Sequence, residues 1–348
     1  LFIIVASSNS LENSFSLSTS TFLAHSRASL KIQDGCNSNC SYCAIHLARG
    51  HSVSIEVSLA LQRVKELEDK GYAEVVLTSV NLCQYKSEYN GKTINFSKLL
   101  AILLDKTEKI NFRISSIYPQ LIDEEFCQVI KNERVRPHFH ISVQSGSDKI
   151  LSLMSRSYKA YDVLLACQKL RESKKDCFIA CDIITGFPCE TDEDFEQTLS
   201  LCKKCNFSWI HAFPFSERPG TYACELKDKV PQSLSTSRAK KLFDLAIENK
   251  IKYLDSFLGL ELLAIPETIK NPLVVSSLNE KALIQNTFES NFQYVSYFYH
   301  AVTPNFIHCQ IKSKKKLDLK TEVKVKIIKI FADQIKKGGD IEVEAELV

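Results

Sequence analysis

The stretch SLKIQDGCNSNCSYCAIHLARG, residues 29–50, opens with a short β-type run and then places Cys36, Cys40 and Cys43 within eight positions. The spacing is C-x3-C-x2-C, with Tyr42 just before the last sulfur. Three sulfurs cannot form a pairwise disulfide set. They also fall one short of the four ligands of a closed zinc site, for which His46 is the nearest candidate. A loop of this kind needs a fold that presents it, and the periodicity on its C-terminal side supplies one.

The helix-period run EVSLALQRVKELEDK ends at Gly71, a suitable C-cap, and AEVVLTSV follows as a buried strand. The alternation then continues through FSKLLAILLDK, FRISSI, DEEFCQVIK, HFHISVQ, AYDVLLACQKLRESK, FIACDIIT, DEDFEQTLSLCKKC and WIHAFPF. Six strands separated by helices predict an α/β fold, a partial (β/α)6 barrel with its helices outside. In such a barrel the loops after the strands carry the chemistry, and the cysteine loop follows the first strand. A long helix over about 235–257 closes the region. Beyond it, LLAIPE, PLVVSS, KALIQN, YVSYFYH, FIHCQI, EVKVKIIKI and IEVEAEL predict a small all-β, OB-like barrel. The expected organisation is a linker or N-terminal remnant over 1–28, the α/β barrel over 29–258 and the β-barrel over 259–348.

Composition sets the outer limits. The 348 residues carry a net charge of +3, with 45% hydrophobic and 24% charged residues, which are globular values. No apolar run approaches the ~20 residues of a membrane span. Thirteen cysteines without a secretion signal point to a reducing, cytoplasmic setting. Ten lysines between Lys312 and Lys337, against Asp318, Glu322 and Asp333, give the β-barrel a basic segment. Such a segment is either a solvated face or a phosphate-binding one. The chain begins at Leu1 and its only methionine is Met154, so a longer parent protein is expected; Ser7–Ser26 reads as a linker.

On this frame the cysteine loop has two chemical readings. Zinc needs His46 as its fourth ligand. A 4Fe–4S cube on three thiolates instead leaves one iron open to chelate the amino and carboxylate groups of S-adenosylmethionine (SAM), and the position at a barrel's first loop favours it. Electron transfer into the sulfonium then yields a 5′-deoxyadenosyl radical.

The motifs KIQDGCNSNCSYCAIHLARG, GYAEVVLTSVNL, FRISSI, HFHISVQSGSDKILSLMSRSY, CDIITGFPCETDEDFEQTL and HAFPFSERPGTYA, in this order, resemble the radical-SAM methylthiotransferases. The resemblance covers about residues 27–348. It is closest to the branch that thiomethylates threonylcarbamoyl-adenosine beside the tRNA anticodon. It implies a radical-SAM barrel, a C-terminal RNA-binding TRAM barrel and, upstream, a domain with an auxiliary iron–sulfur cluster. It implies Cys36, Cys40 and Cys43 as cluster ligands. For SAM it implies Tyr42, Thr78, Ser79, Asn81, Ser142, Gln144, Arg156, Asp182 and Gly186. Arg156 would pair the carboxylate, Ser142 and Gln144 the ribose, and the strand end at Asp182 and Gly186 the adenine. Arg218, with Pro219 and Gly220, would line the substrate mouth, and Lys314, Lys315 and Lys316 would meet RNA phosphates.

There are departures. Ser79 and Cys189 stand where the family usually has glycine, and Cys83 replaces a small residue. A Cβ at a positive-φ position costs on the order of 1 kcal/mol. No cysteine precedes Cys36, so the auxiliary ligands are absent from this sequence. The chain alone is therefore expected to cleave SAM without transferring a methylthio group. Cys127, Cys167, Cys177, Cys181, Cys202, Cys205, Cys224 and Cys309 read as core. The resemblance implies tRNA and a flavodoxin- or ferredoxin-like electron donor as partners, and a monomer is expected. Alternatives are a non-catalytic RNA-binding remnant, or a sister branch acting on isopentenyl-adenosine in tRNA or on a ribosomal protein.

Overall fold

The computed structural model describes residues 26–274 and 295–348. Nearly all of the serine-rich linker, the run KALIQN and part of PLVVSS lie outside them. Six parallel strands follow: β1 (Ala28–Lys31), β2 (Glu74–Thr78), β3 (Asn111–Ile114), β4 (His138–Gln144), β5 (Phe178–Thr185) and β6 (Trp209–Pro214). They pair in sequence order as β1–β2–β3 and β4–β5–β6. Bridges at Phe112–Val135 and Ile117–Ile141 join the halves. The result is the partial barrel expected from the sequence.

The outer face is sealed by α2 (Val57–Asp69), α3 (Phe96–Lys106), α4 (Glu124–Ile130), α6 (Ala160–Ser173), α7 (Asp192–Cys205) and α8 (Gln232–Asp255). Strand residues such as Val75, Leu77, Phe112 and Ile114 meet helix residues such as Leu99, Leu103 and Phe126 in one continuous core. Each such side chain contributes roughly 1.5–3 kcal/mol on burial. Caps fix the helix starts: Asn95 accepts from Lys98 N, Asp123 from Phe126 N, and Thr191 with Asp194 forms a capping box. Gly146, just after β4, lies against α7, where a Cβ would stand 2.5 Å from Thr198 Cα. Short helices α1 (Ile45–Arg49) and α5 (Asp148–Leu153) were not predicted, because five or six residues do not show a 3.6-residue period.

The C-terminal strands β7 (Glu261–Val274), β8 (Val295–Val302), β9 (His308–Ser313), β10 (Val323–Ile330) and β11 (Val343–Leu347) close into a barrel in the order 7-8-9-11-10. Only the β9–β11 pair is parallel.

This barrel packs on the N-terminal ends of the first six strands. Glu74, fully buried, takes Arg113 Nε at 2.7 Å and Nη2 at 3.0 Å, and Arg136 Nε at 2.7 Å. Arg113 continues to the carbonyls of Thr303 and Pro304, and Arg136 to Glu322. Phe306 inserts beside them, its ring 4.1 Å from that of His138.

Candidate active site at the mouth of the partial barrel

The cysteine loop leaves β1 at its C-terminal end and turns sharply at Gly35. That residue has φ +69°, and a Cβ on it would lie 2.0 Å from the His51 carbonyl oxygen, so only glycine fits. Gln33, buried just before the turn, organises the mouth. Its Nε2 donates to the Gly35 carbonyl at 2.8 Å, and its Oε1 accepts from Val80 N at 3.1 Å and Asn81 N at 2.9 Å. One side chain thus ties the β1 loop to the β2 loop. Further along, Ser41 N donates to the Met154 carbonyl, and Ala223 N to the Ser41 carbonyl.

Cys36, Cys40 and Cys43 are free thiols, the first two buried and the third half-buried. Backbone amides point at two of them: Ser38 N to Cys36 Sγ at 3.4 Å and Ile45 N to Cys43 Sγ at 3.5 Å. Burial pushes the Cys40 thiol up, while Arg156 opposes that shift. Among the described residues no three His, Cys, Asp or Glu side chains are gathered to hold a single metal ion.

Arg156 faces this loop from the segment after α5. Its Nη2 donates to Tyr42 Oη at 2.6 Å, and its guanidinium lies 4.6 Å from the Tyr118 ring centroid and 5.6 Å from that of Tyr158. Its Nε and Nη1 are buried without a protein partner, as is Ser79 Oγ after β2 and Ser115 Oγ after β3. Buried donors are satisfied in nearly all native structures. Unfilled ones beside a free-thiol triad call for an acceptor-rich, anionic ligand there.

The remaining predicted residues distribute as follows. Thr78 ends β2. Asn81 is buried, its side-chain oxygen capping the turn at Cys83 N. Ser142 and Gln144 are buried at the end of β4, where Gln144 has φ +69° at a bulge against β5. Such backbone strain clusters at functional sites. Asp182 Oδ1 lies 3.3 Å from His140 Nε2. Gly186 has φ +69° and packs on α8, where a Cβ would stand 1.8 Å from Ser235 Oγ. Arg218 is exposed in the loop after β6, close to α1: a Cβ on neighbouring Gly220 would touch Leu47 at 3.5 Å. Lys314, Lys315 and Lys316 are exposed but not at this mouth. Their loop runs to Lys320, whose carbonyl accepts from Ala73 N at the opposite, N-terminal end of β2.

Cys189 has φ +68°, so the condition attached to its replacing a glycine is met. Cys202 and Cys205 do not face each other as a metal pair. Cys202 lies beside Cys181, and Cys205 beside Cys167, all four buried inside the core. Cys224 departs from the core reading: it is half-buried, its thiol 2.8 Å from the Arg218 carbonyl. Sequence reading missed Gln33, Ser115, Tyr118, Tyr158, His140 and His211. For Gln33 a signal existed, a polar residue at the end of a strand directly before the glycine turn.

The model of the Radical SAM superfamily matches residues 30–202. The threonylcarbamoyladenosine tRNA methylthiotransferase of Treponema pallidum (strain Nichols) is 47% identical over 253 residues, covering 73% of this chain and 52% of that protein. The enzyme of the same name from Thermotoga maritima is 40% identical over 75% of this chain and 60% of its own length. The tRNA-2-methylthio-N(6)-dimethylallyladenosine synthase of Porphyromonas gingivalis (strain ATCC BAA-308 / W83) is 37% identical over 65% and 49%. The chain carries a Radical SAM domain over residues 30–202 and, over 65–75% of its length, is similar to tRNA methylthiotransferases. It spans about half to three-fifths of the length of these relatives. The superfamily implies a 4Fe–4S cluster and SAM, and the mouth fits both, with three free thiols on one loop and orphaned buried donors beside them. Among the described residues no helix is long and apolar enough to cross a membrane.

Proposed function

We propose that the chain is the radical-SAM and RNA-binding part of a tRNA methylthiotransferase that modifies C2 of N6-threonylcarbamoyl-adenosine beside the anticodon. The observation that carries the reading is the triad Cys36, Cys40 and Cys43 facing Arg156, whose Nε and Nη1 lack partners. A 4Fe–4S cluster held there would supply the electron for reductive cleavage of SAM. The chain's own residues do the rest. Cys36, Cys40 and Cys43 would hold the cluster through their thiolates. Arg156, fixed by Tyr42 and packed on Tyr118 and Tyr158, takes the SAM carboxylate through its free donors. Thr78, Ser79 and Asn81 receive the amino-group end. Ser142 and Gln144 bind ribose hydroxyls, and Asp182 with the backbone at Gly186 borders the adenine. Arg218 stands at the RNA entrance, and Lys314, Lys315 and Lys316 hold phosphates in a TRAM-like barrel. A flavodoxin- or ferredoxin-like donor supplies the electron. An auxiliary cluster, needed to deliver sulfur, belongs to a segment upstream of residue 36.

The test is expression of the encoding gene, with its upstream frame, in a bacterial host lacking its own tRNA methylthiotransferases. Mass detection of digested tRNA nucleosides is expected to show 2-methylthio-threonylcarbamoyl-adenosine. The isopentenyl counterpart would assign the sister branch instead, and neither product would leave an RNA-binding role without transfer.

A further inference from the structure

Around Asp182, one of the residues assigned to the cofactor, the inward side of β4–β6 carries a second set of groups. His140 has both ring nitrogens engaged, Nδ1 with Ser116 Oγ at 2.8 Å and Nε2 with Asp182 Oδ1 at 3.3 Å. His211, paired with Asp182 in the β5–β6 register, brings its ring to 5.3 Å from that of His140. Two residues on, Phe213 lies parallel to His211, with an interplanar angle of 5° and centroids 6.3 Å apart. Phe213 is 52% exposed, although it sits on a barrel strand. The ring nitrogens of His211 make no hydrogen bond among the described residues.

We propose that His211 and Phe213 form the wall on which the target adenine of the RNA stacks, with His140 as the residue that positions the polar side of that seat. The inference rests on the function proposed above. Three observations carry it. An exposed, flat pair of aromatic rings with an unused hydrogen-bonding edge is the arrangement by which proteins hold an unstacked base. His140 precedes Ser142 by two residues, so its side chain lies one inward position, about 7 Å, below the ribose-binding shelf. A substrate seated there would adjoin the cofactor site proposed above. Finally, Phe306 and the Glu74–Arg113–Arg136 ion group cover the N-terminal ends of the strands beneath, so the exposed wall is approached from the mouth side.

Trp209, the chain's only tryptophan, has its ring 6.1 Å from His211 and serves as the reporter. The anaerobic chain, loaded with iron, sulfide and SAM, is titrated with free N6-threonylcarbamoyl-adenosine, and quenching of Trp209 is read. Saturable quenching is expected. Phe213→Ala and His211→Ala should each raise the Kd at least tenfold, and Phe213→Tyr should restore it, which excludes a folding defect. SAM affinity, measured by equilibrium dialysis, should change by far less than nucleoside affinity. Equal losses of both would place the cofactor's adenine on the wall and overturn the proposal. Absence of quenching in the wild-type chain would overturn it as well. Filter binding of tRNA on the same samples separates the two readings: nucleoside binding without tRNA binding keeps this seat and removes the RNA function.

Discussion

Arg156 is a buried cation with one of three guanidinium nitrogens committed to Tyr42 and two left open. Its packing on tyrosine rings holds it without using up its donors, so its orientation does not depend on the ligand. Arg156→Met removes the donors while keeping the apolar stem. The expected outcome is a loss of SAM affinity of about 1.5–3 kcal/mol, the worth of hydrogen bonds to a charged group, measured by equilibrium dialysis with cluster absorption retained. An unchanged affinity would show that the carboxylate binds elsewhere. At this scale the cysteines were legible, because their spacing is itself the chemistry. The tyrosines around Arg156 were not. Tyr42 and Tyr118 come from different loops, and no local pattern announces a contact across 114 positions. Gly186 shows a different limit. Its motif suggested a ligand contact, yet the immediate reason it is glycine is Ser235 of α8 at its back.

Among the elements, the β2–β3 pair and the residues entering β4 support the joint with the C-terminal barrel. Burial alone would raise the Glu74 carboxyl, but Arg113, Arg136 and Arg27 outweigh it and bring it from 4.5 to about 2. A depressed carboxylate stabilises the fold fully above its unfolded value and loses that contribution as pH falls through its folded one. The window here is pH 4.5 down to 2, and the shift corresponds to about 3 kcal/mol. Urea midpoints measured across that window should fall in the wild type. Glu74→Gln, which leaves two buried guanidinium groups without their counter-charge, should be less stable at pH 7 by about 3–5 kcal/mol and should lack this component of the acid slope. Equal stability and equal slope in the two proteins would mean that the ion group is not coupled to folding. Strand and helix runs were legible to within a few residues, since HFHISVQ, FIACDIIT and FSKLLAILLDK match β4, β5 and α3. Hidden from them was why Arg113 sits in a strand at all: the Thr303 and Pro304 carbonyls to which it donates lie some 190 positions away.

Across the whole molecule, the cysteine mouth and the lysine loop occupy opposite ends of the partial barrel. The sequence identified both but could not place them, because separation along the chain does not report which end of a barrel a later domain covers. At ~3.3 Å per strand residue the two ends lie roughly 15–20 Å apart, so an RNA held by both would run along the outside of the barrel, a length within reach of one stem–loop. Replacing Lys314, Lys315 and Lys316 together by Ala should weaken tRNA binding and lower the salt slope by up to about 3, one released counterion per phosphate contact. SAM cleavage should be unaffected, since the loop does not approach the mouth. An unchanged slope would make this loop a solvated face. The central claim, that this mouth is a working SAM-cleaving site, is tested most directly by one reaction. The 348-residue chain is reconstituted anaerobically with iron and sulfide, given SAM and reduced with dithionite, and 5′-deoxyadenosine is counted by mass detection. The account predicts 5′-deoxyadenosine from the wild type and none from Cys36→Ala, Cys40→Ala or Cys43→Ala, each of which also loses absorption near ~400 nm. A wild-type chain that assembles its cluster and yet forms no 5′-deoxyadenosine would contradict it.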